Sequence, residues 1–193
     1  MLSHKKIASY FMVLSLLFTS SWVYAATYEI DPAHSSVTFK IRHLVGKVKG
    51  RFNKFQGTIE FDENNQAASS VKARIDLDSI DTQNADRDMH LRTADFFDTS
   101  NFQKVTFDSK AVDVEKKKLV GDLTMHGVTR EVSLDYSFNG LAPDQKGRKH
   151  LGGSGVVELK RQDFGINYDP GALMLGSEVT VEIEIEAIEK EEA

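Results

Sequence analysis

Apolar and polar residues alternate with period two over most of the chain. In SVTFKIRH (36–43), Val37, Phe39, Ile41 and His43 fall on one face, and Thr38, Lys40 and Arg42 on the other. The same pattern aligns Phe55, Gly57, Ile59 and Phe61; then Val71, Ala73, Ile75 and Leu77; then Val105, Phe107, Ser109 and Ala111. It continues with Leu119, Gly121, Leu123 and Met125; Val132, Leu134, Tyr136 and Phe138; and Leu151, Gly153, Gly155, Val157 and Leu159. The last stretch is the cleanest: Val179, Val181, Ile183 and Ile185 alternate with glutamate and threonine. With a short TYEI strand before Asp31-Pro32, the pattern predicts about nine strands, since this period places alternate residues on opposite faces of a sheet.

Burial on one face only belongs to antiparallel sheets. DENNQ (62–66) and EKKK (115–118) read as hairpin loops, and the glycine- and charge-rich stretch 139–149 as a long mobile loop. Strands of this kind close into a barrel or stack as a sandwich, and closure removes exposed edges. A membrane barrel would turn its apolar face outward; whole charged faces here predict a barrel polar outside and apolar inside. Four inward positions are glycine: Gly57, Gly121, Gly153 and Gly155. Glycine in a strand marks either a bend or a close approach, so these predict either curvature or unfilled space in the lumen.

The alternation stops between Leu77 and Lys104. Asn84 can cap a helix whose first turn holds Asp86 and Asp88, where the helix dipole favours carboxylates. Ala85 and Met89 share a face, Arg92 falls near the end, and Thr93 can cap a further turn carrying Phe96 and Phe97. The apolar side chains of this insertion, Phe102 included, need a partner, and the open end of the barrel offers one. The segment therefore reads as a helical lid.

Charge and chemistry narrow the function. A basic start, an apolar run from Ile7 to Phe18 and small residues at Val23 and Ala25 predict a secretory signal peptide over residues 1–25, cut between Ala25 and Ala26. The run is short for a bilayer span of about 20 residues. Its removal leaves one domain, 26–193, with 22 basic and 29 acidic residues. That balance gives no basic footprint for nucleic acid. No cysteine is present, so neither a disulfide nor a lipid-anchored cysteine is expected. The histidines of this domain lack metal-ligand spacing, and no metal or cofactor site is expected. Asp86 and His90 stand four apart, a spacing typical of a surface ion pair. DENNQ lacks the glycine and closing glutamate of a calcium loop. Ser154 lacks the flanking spacing of a hydrolase elbow, and no phosphate loop is present. No catalytic residue is assigned.

The stretches DPAHSSVTFKIRHL, HLRTADFFDTSNFQKVTFDSKAV, GDLTMHGVTREVSL and DFGIN, in this order and spacing, resemble the YceI family of exported proteins. The resemblance covers nearly the whole chain after the signal. It implies an all-β, lipocalin-like extended antiparallel barrel of about eight strands with a helical insertion, an apolar tunnel that binds polyisoprenoids or other long-chain amphiphiles, and a periplasmic location. A tail in such a tunnel would lie along Phe39, Ile41, Phe55, Ile59, Phe107, Leu123, Leu134, Phe138 and Val157. His43, His90 and Arg92 would meet the polar end, and Phe96 and Phe97 would form the lid. The expected partners are a polyisoprenoid, quinone or similar lipid, a transiently touched membrane (Lys47, Lys49 and Arg51 stand near apolar residues) and a second copy in a homodimer. The alternatives are an enzyme acting on a lipid or quinone in the same lumen, and a docking partner of an inner-membrane redox or stress system.

Overall fold

The computed structural model describes residues 25–191. The expected signal peptide lies outside them, apart from Ala25, which is exposed just ahead of the first strand. Eleven strands follow: β1 (Ala26–Ile30), β2 (Ser36–His43), β3 (Gly46–Phe52), β4 (Phe55–Phe61), β5 (Ser70–Asp76), β6 (Ile80–Asp81), β7 (Lys104–Asp113), β8 (Lys118–Met125), β9 (Val128–Pro143), β10 (Lys149–Lys160) and β11 (Leu175–Glu189). One helix, α1 (Ala85–Leu91), sits between β6 and β7.

All the pairings are antiparallel, and they form one sheet that closes where β1 meets β11. Three passes of the ring are broken strands. β1 and β2 lie end to end beside β11. β3 runs into β4, pairing with β2 as β4 pairs with β1. β5 breaks at the 3-10 turn Leu77–Ser79 before β6, which pairs with β3 as β5 pairs with β4. The result is eight passes, each beside its sequence neighbour, with the last against the first. This is the closed up-and-down barrel that the alternation predicts.

The outer face carries cross-strand ion pairs such as Lys110–Asp122 and Lys118–Asp135, each at 2.6 Å. Inside, two buried clusters lie at different levels of the tube. Tyr28, Phe61, Leu151 and Ala187 pack the end where β1 closes onto β11, with Phe61 stacked on Phe138 at 5.0 Å. Val37, Phe52, Leu77, Ile80 and Val105 form the second, and Leu91 and Phe97 of the insertion pack against it.

The inward register departs from expectation on β7. A bulge between Ser109 and Ala111 inserts Lys110, which turns Ala111 out to solvent and brings Val112 to the lumen. An inserted residue reverses every side chain beyond it. The expected loop at 139–149 is mostly strand: β9 extends to Pro143, and only 144–148 turn. The Asp144 carboxylate organises that turn by accepting from the Lys146 and Arg148 N–H groups at 2.8 and 3.0 Å and from Arg148 Nε at 2.9 Å.

The inward glycines serve close approach more than empty space. A Cβ on Gly121 would lie 2.5 Å from the Asp108 carbonyl and 2.6 Å from the Phe107 ring, so the ring of one strand lies over the glycine of the next. Gly153 instead flanks a bulge at Asn139 that bends β9 against β10. We predict that Gly121→Val destabilises the fold by about 1–3 kcal/mol, the usual cost of overpacking. Gly46→Ala, whose Cβ would meet nothing nearer than 3.9 Å, should stay within about 0.5 kcal/mol. Urea denaturation measures both, and equal losses would contradict the assignment.

Candidate functional site

A filled β-barrel buries its inward residues. Here Val179, Val181, Ile183 and Ile185 on β11, Phe39 on the adjacent β2, and Phe55, Ile59, Phe107 and Leu123 elsewhere around the wall are only half-buried although they point inward. The space they leave is a continuous cavity of about 520 Å³, within the range of about 300–1,000 Å³ typical of ligand pockets. Ile41, Leu134, Phe138 and Val157 also line it, so every apolar residue assigned to the lumen from the sequence stands on its wall. Apolar surface left hydrated inside a protein favours an apolar occupant.

At one end of the tube, His43, Tyr168 and Met174 both line the cavity and stand exposed, which defines a mouth. His90 lines it as well. Its ring lies edge-on to Phe96 at 5.1 Å and to Tyr168 at 5.3 Å, and Phe96 lies against Tyr168 at 4.7 Å. The predicted partner of His90 was Asp86; the observed one is Asp95, 2.8 Å from Nε2. The chain turns back after α1 and carries Asp95 to the imidazole.

Arg92 departs from its expected role, since it is absent from the cavity wall. Its guanidinium donates to the carbonyls of Asp78 at 2.9 Å and Ile80 at 3.0 Å and so clasps the insertion to the β5–β6 break. The lid also differs in detail. Asn84 caps α1 as expected, accepting from the Arg87 N–H at 3.0 Å, but Ala85 and Met89 face solvent, and the buried Asp88 accepts from the Thr82 N–H at 2.9 Å. Thr93 does not cap with its hydroxyl, which donates to the His90 carbonyl; its own carbonyl accepts from the Phe96 and Asp98 N–H groups. Phe96 and Phe97 reach the lumen, whereas Phe102 packs on His126 at 4.6 Å and over Gly127.

Residues that the alternation did not single out complete the mouth. Arg87 lines it and donates to the Thr82 hydroxyl and carbonyl, both at 2.8 Å. Buried Arg161 donates to the carbonyls of Gly176, Ile166 and Asp169 at 2.9 Å each and fixes the irregular segment between β10 and β11. The Asp169 carboxylate accepts from the Leu175 and Met174 N–H groups at 2.7 and 2.8 Å, and these bonds hold its pKa below the ordinary carboxylate value. A run rich in glycine and proline between two strands, with one tyrosine in it, was the available signal for this segment.

Away from the mouth, the fold gathers Asp31, His34 and Glu186, whose donor atoms lie within 4.8 Å of one another. Sequence spacing could not show this, because Glu186 arrives from the far end of the chain. Each already has a protein partner: His34 Nδ1 contacts Asp31 at 2.6 Å, and Glu186 contacts His150 Nδ1 at 2.8 Å.

A hollow, all-antiparallel barrel with an apolar bore and a helical insertion defines a lipocalin-like architecture. The YceI-like domain model matches residues 28–187, and the chain belongs to the YceI family. A UPF0312 protein of Vibrio cholerae is 39% identical over 185 residues, covering 92% of this chain and 94% of the relative. The crystal structure of the Campylobacter jejuni YceI protein superposes with a TM-score of 0.70 at 32% identity, covering 79% of this chain and 91% of that one. A polyisoprenoid binding domain from Saccharophagus degradans shares the fold, with a TM-score of 0.68 at 15% identity over 86% of this chain and 99% of its own.

Since a carboxylate with a depressed pKa stabilises above its unfolded value of about 3.9 and loses that contribution as pH falls through the folded value, the mouth segment should stay ordered through mildly acid pH. We predict that the Met174 and Leu175 amides remain protected from hydrogen exchange at pH values where ordinary carboxylates already titrate, and that Asp169→Ala removes this protection. Equal exchange in both proteins would show that the carboxylate does not organise the segment.

Proposed function

We propose that this protein binds and carries a long-chain isoprenoid, or a similar amphiphile, in the barrel lumen. The observation that carries this reading is the bore itself: inward residues that are apolar, half-buried and arranged around a continuous cavity of about 520 Å³. Burial of ten methylenes is worth roughly 8 kcal/mol, which approaches about micromolar affinity before ordering costs are subtracted. Apolar contact is not directional, so the bore selects for length and bulk. His43 and His90 at the mouth are the groups offered to a polar end. A barrel of the same fold, described as a polyisoprenoid binding domain, supports the ligand class. The signal-like start of the chain supports delivery to the periplasm, where the protein acts as a binder rather than an enzyme.

Purification from the native cell envelope, solvent extraction and mass spectrometry test the reading. The expected result is a long-chain isoprenoid recovered with the protein. Val157→Trp, which puts an indole into the bore, should lower the recovered lipid by about tenfold, the effect of ~1.4 kcal/mol of lost binding, while circular dichroism shows an intact barrel. Native protein that yields no lipid and takes up no added isoprenoid alcohol would exclude the proposal.

A further inference from the structure

The rim of the mouth has a feature that holding a lipid in the bore does not require. The β2–β3 hairpin turns through Leu44 and Val45, and the segment 168–174 ends beside it. The Leu44 N–H donates to the Met174 carbonyl at 2.6 Å, and the Arg42 guanidinium donates to the carbonyls of Leu44, at 3.1 Å, and Ala172, at 2.5 Å. Hairpin and segment are therefore one unit. Its tip holds four large apolar side chains in water: Val45 at full exposure, Leu173 at 82%, Leu44 at 52% and Met174 at 50%. Leu44 occupies a turn position with φ of +51°, where glycine or asparagine would cost less. A bulky apolar residue is thus kept in a strained and solvated place. His43, Met174 and Leu175 of the same unit line the cavity, so the tip borders the mouth directly.

The outer face of the hairpin is basic. Arg42 stands opposite Lys47, and Lys40 opposite Lys49, across the ladder. Like charges directly opposite each other are unfavourable in isolation. Lys40 contacts Glu182, but Lys47 forms no ion pair among the described residues. This cluster sits on a chain whose net charge is −5. β3 is also unpaired on its outer edge from Gly46 to Gly50, because β6 reaches only Arg51 and Phe52.

We infer that this tip docks the mouth of the barrel onto an anionic membrane surface. Leu44, Val45, Leu173 and Met174 enter the boundary between head groups and acyl chains, and Lys47 and Lys49 meet anionic head groups, while Arg42 keeps its guanidinium on the Leu44 and Ala172 carbonyls. Apolar insertion combined with basic flanks is the general physics of interfacial binding. A second copy fits the unit less well: tip-to-tip pairing would bring two basic hairpins together. The inference rests on the lipid-carrier reading for its purpose. A tail that passes between bilayer and bore must cross the rim, and a rim set into the acyl boundary keeps water out of that path.

The test uses the protein without its signal segment and vesicles of phosphatidylethanolamine with phosphatidylglycerol, compared with phosphatidylcholine alone. Co-sedimentation is expected with the anionic vesicles and should weaken with added salt. The double variants Val45→Asp/Leu173→Asp and Lys47→Glu/Lys49→Glu should each lose binding by about tenfold or more, with unchanged circular dichroism. The single tryptophan of the chain is Trp22, within the expected signal, so Val45→Trp adds a lone indole whose emission should shift to the blue on the anionic vesicles. Unchanged emission, or acidic variants that sediment as well as the native protein, would overturn the inference. A dimer that the Asp variants abolish, with no vesicle binding, would assign the tip to a second copy and overturn it equally. Uptake of an isoprenoid alcohol in vesicle-free buffer separates the two readings. Uptake without vesicle binding rejects docking, whereas vesicle binding without uptake upholds docking and rejects the carrier.

Discussion

The barrel depends on β11 keeping a continuous ladder beside a partner that is broken in two. β1 and β2 cannot form one strand, because Asp31-Pro32 interrupts them and proline has no N–H to donate. The gap is bridged from the side. The Asp31 N–H donates to the Glu186 carbonyl at 2.8 Å, and the Ser35 hydroxyl both donates to that carbonyl, at 3.1 Å, and accepts from the Glu186 N–H, at 2.9 Å. A side chain thus stands in for the missing backbone pair. Without it, the edge of β11 would lie open at the seam, and an open edge invites pairing with other chains.

Closure of this kind lets the centre stay hollow. Two buried clusters and the complete ring of strand pairs hold the wall, so the middle of the bore need not be filled for the barrel to stand. Rings over glycine, as Phe107 lies over Gly121, tie neighbouring strands together while keeping the aromatic mass flat against the wall. Exposed ion pairs outside add little stability, since surface pairs are typically worth about 0–1 kcal/mol. Their contribution is to keep one face of every strand unsuited to burial, which fixes the register.

Much of this was legible in the chain. Period-two alternation identified nine of the eleven strands, their inward faces and the apolar wall from Phe39 to Val157, because each of those facts is local to a few residues; β3 and the two-residue β6 escaped it, β3 because two of its inward positions, Gly46 and Gly50, are glycine. The misreadings arose where a distant partner decides. One inserted residue at Lys110 turned Ala111 outward, and no local propensity announces a bulge. The turn residues around Asn139–Lys149 looked like a loop because glycine and charge are also found at bends in long strands. Arg92 looked available to a ligand because the two carbonyls it clasps come from a strand break earlier in the chain. Tyr168 was missed because it lies in a segment without periodicity, and only the fold brings it against Phe96 and His90.

The mouth shows how one set of residues can be rigid and permissive together. Arg87, Arg92 and Arg161 donate to carbonyls or to the Thr82 hydroxyl, Arg42 donates to the Leu44 and Ala172 carbonyls, and Asp169 accepts from backbone N–H groups. These charges hold the shape of the rim. A guanidinium engaged by several carbonyls gains little by turning to a ligand, because the carbonyls it left would lose their partners at about 1–3 kcal/mol each. The groups that face the opening with fewer obligations are imidazoles: His90 engages Asp95 through Nε2 alone, His43 stands exposed at the rim, and each can donate or accept a further hydrogen bond. On the carrier reading, ligands would therefore be sorted chiefly by how their tails fit the bore.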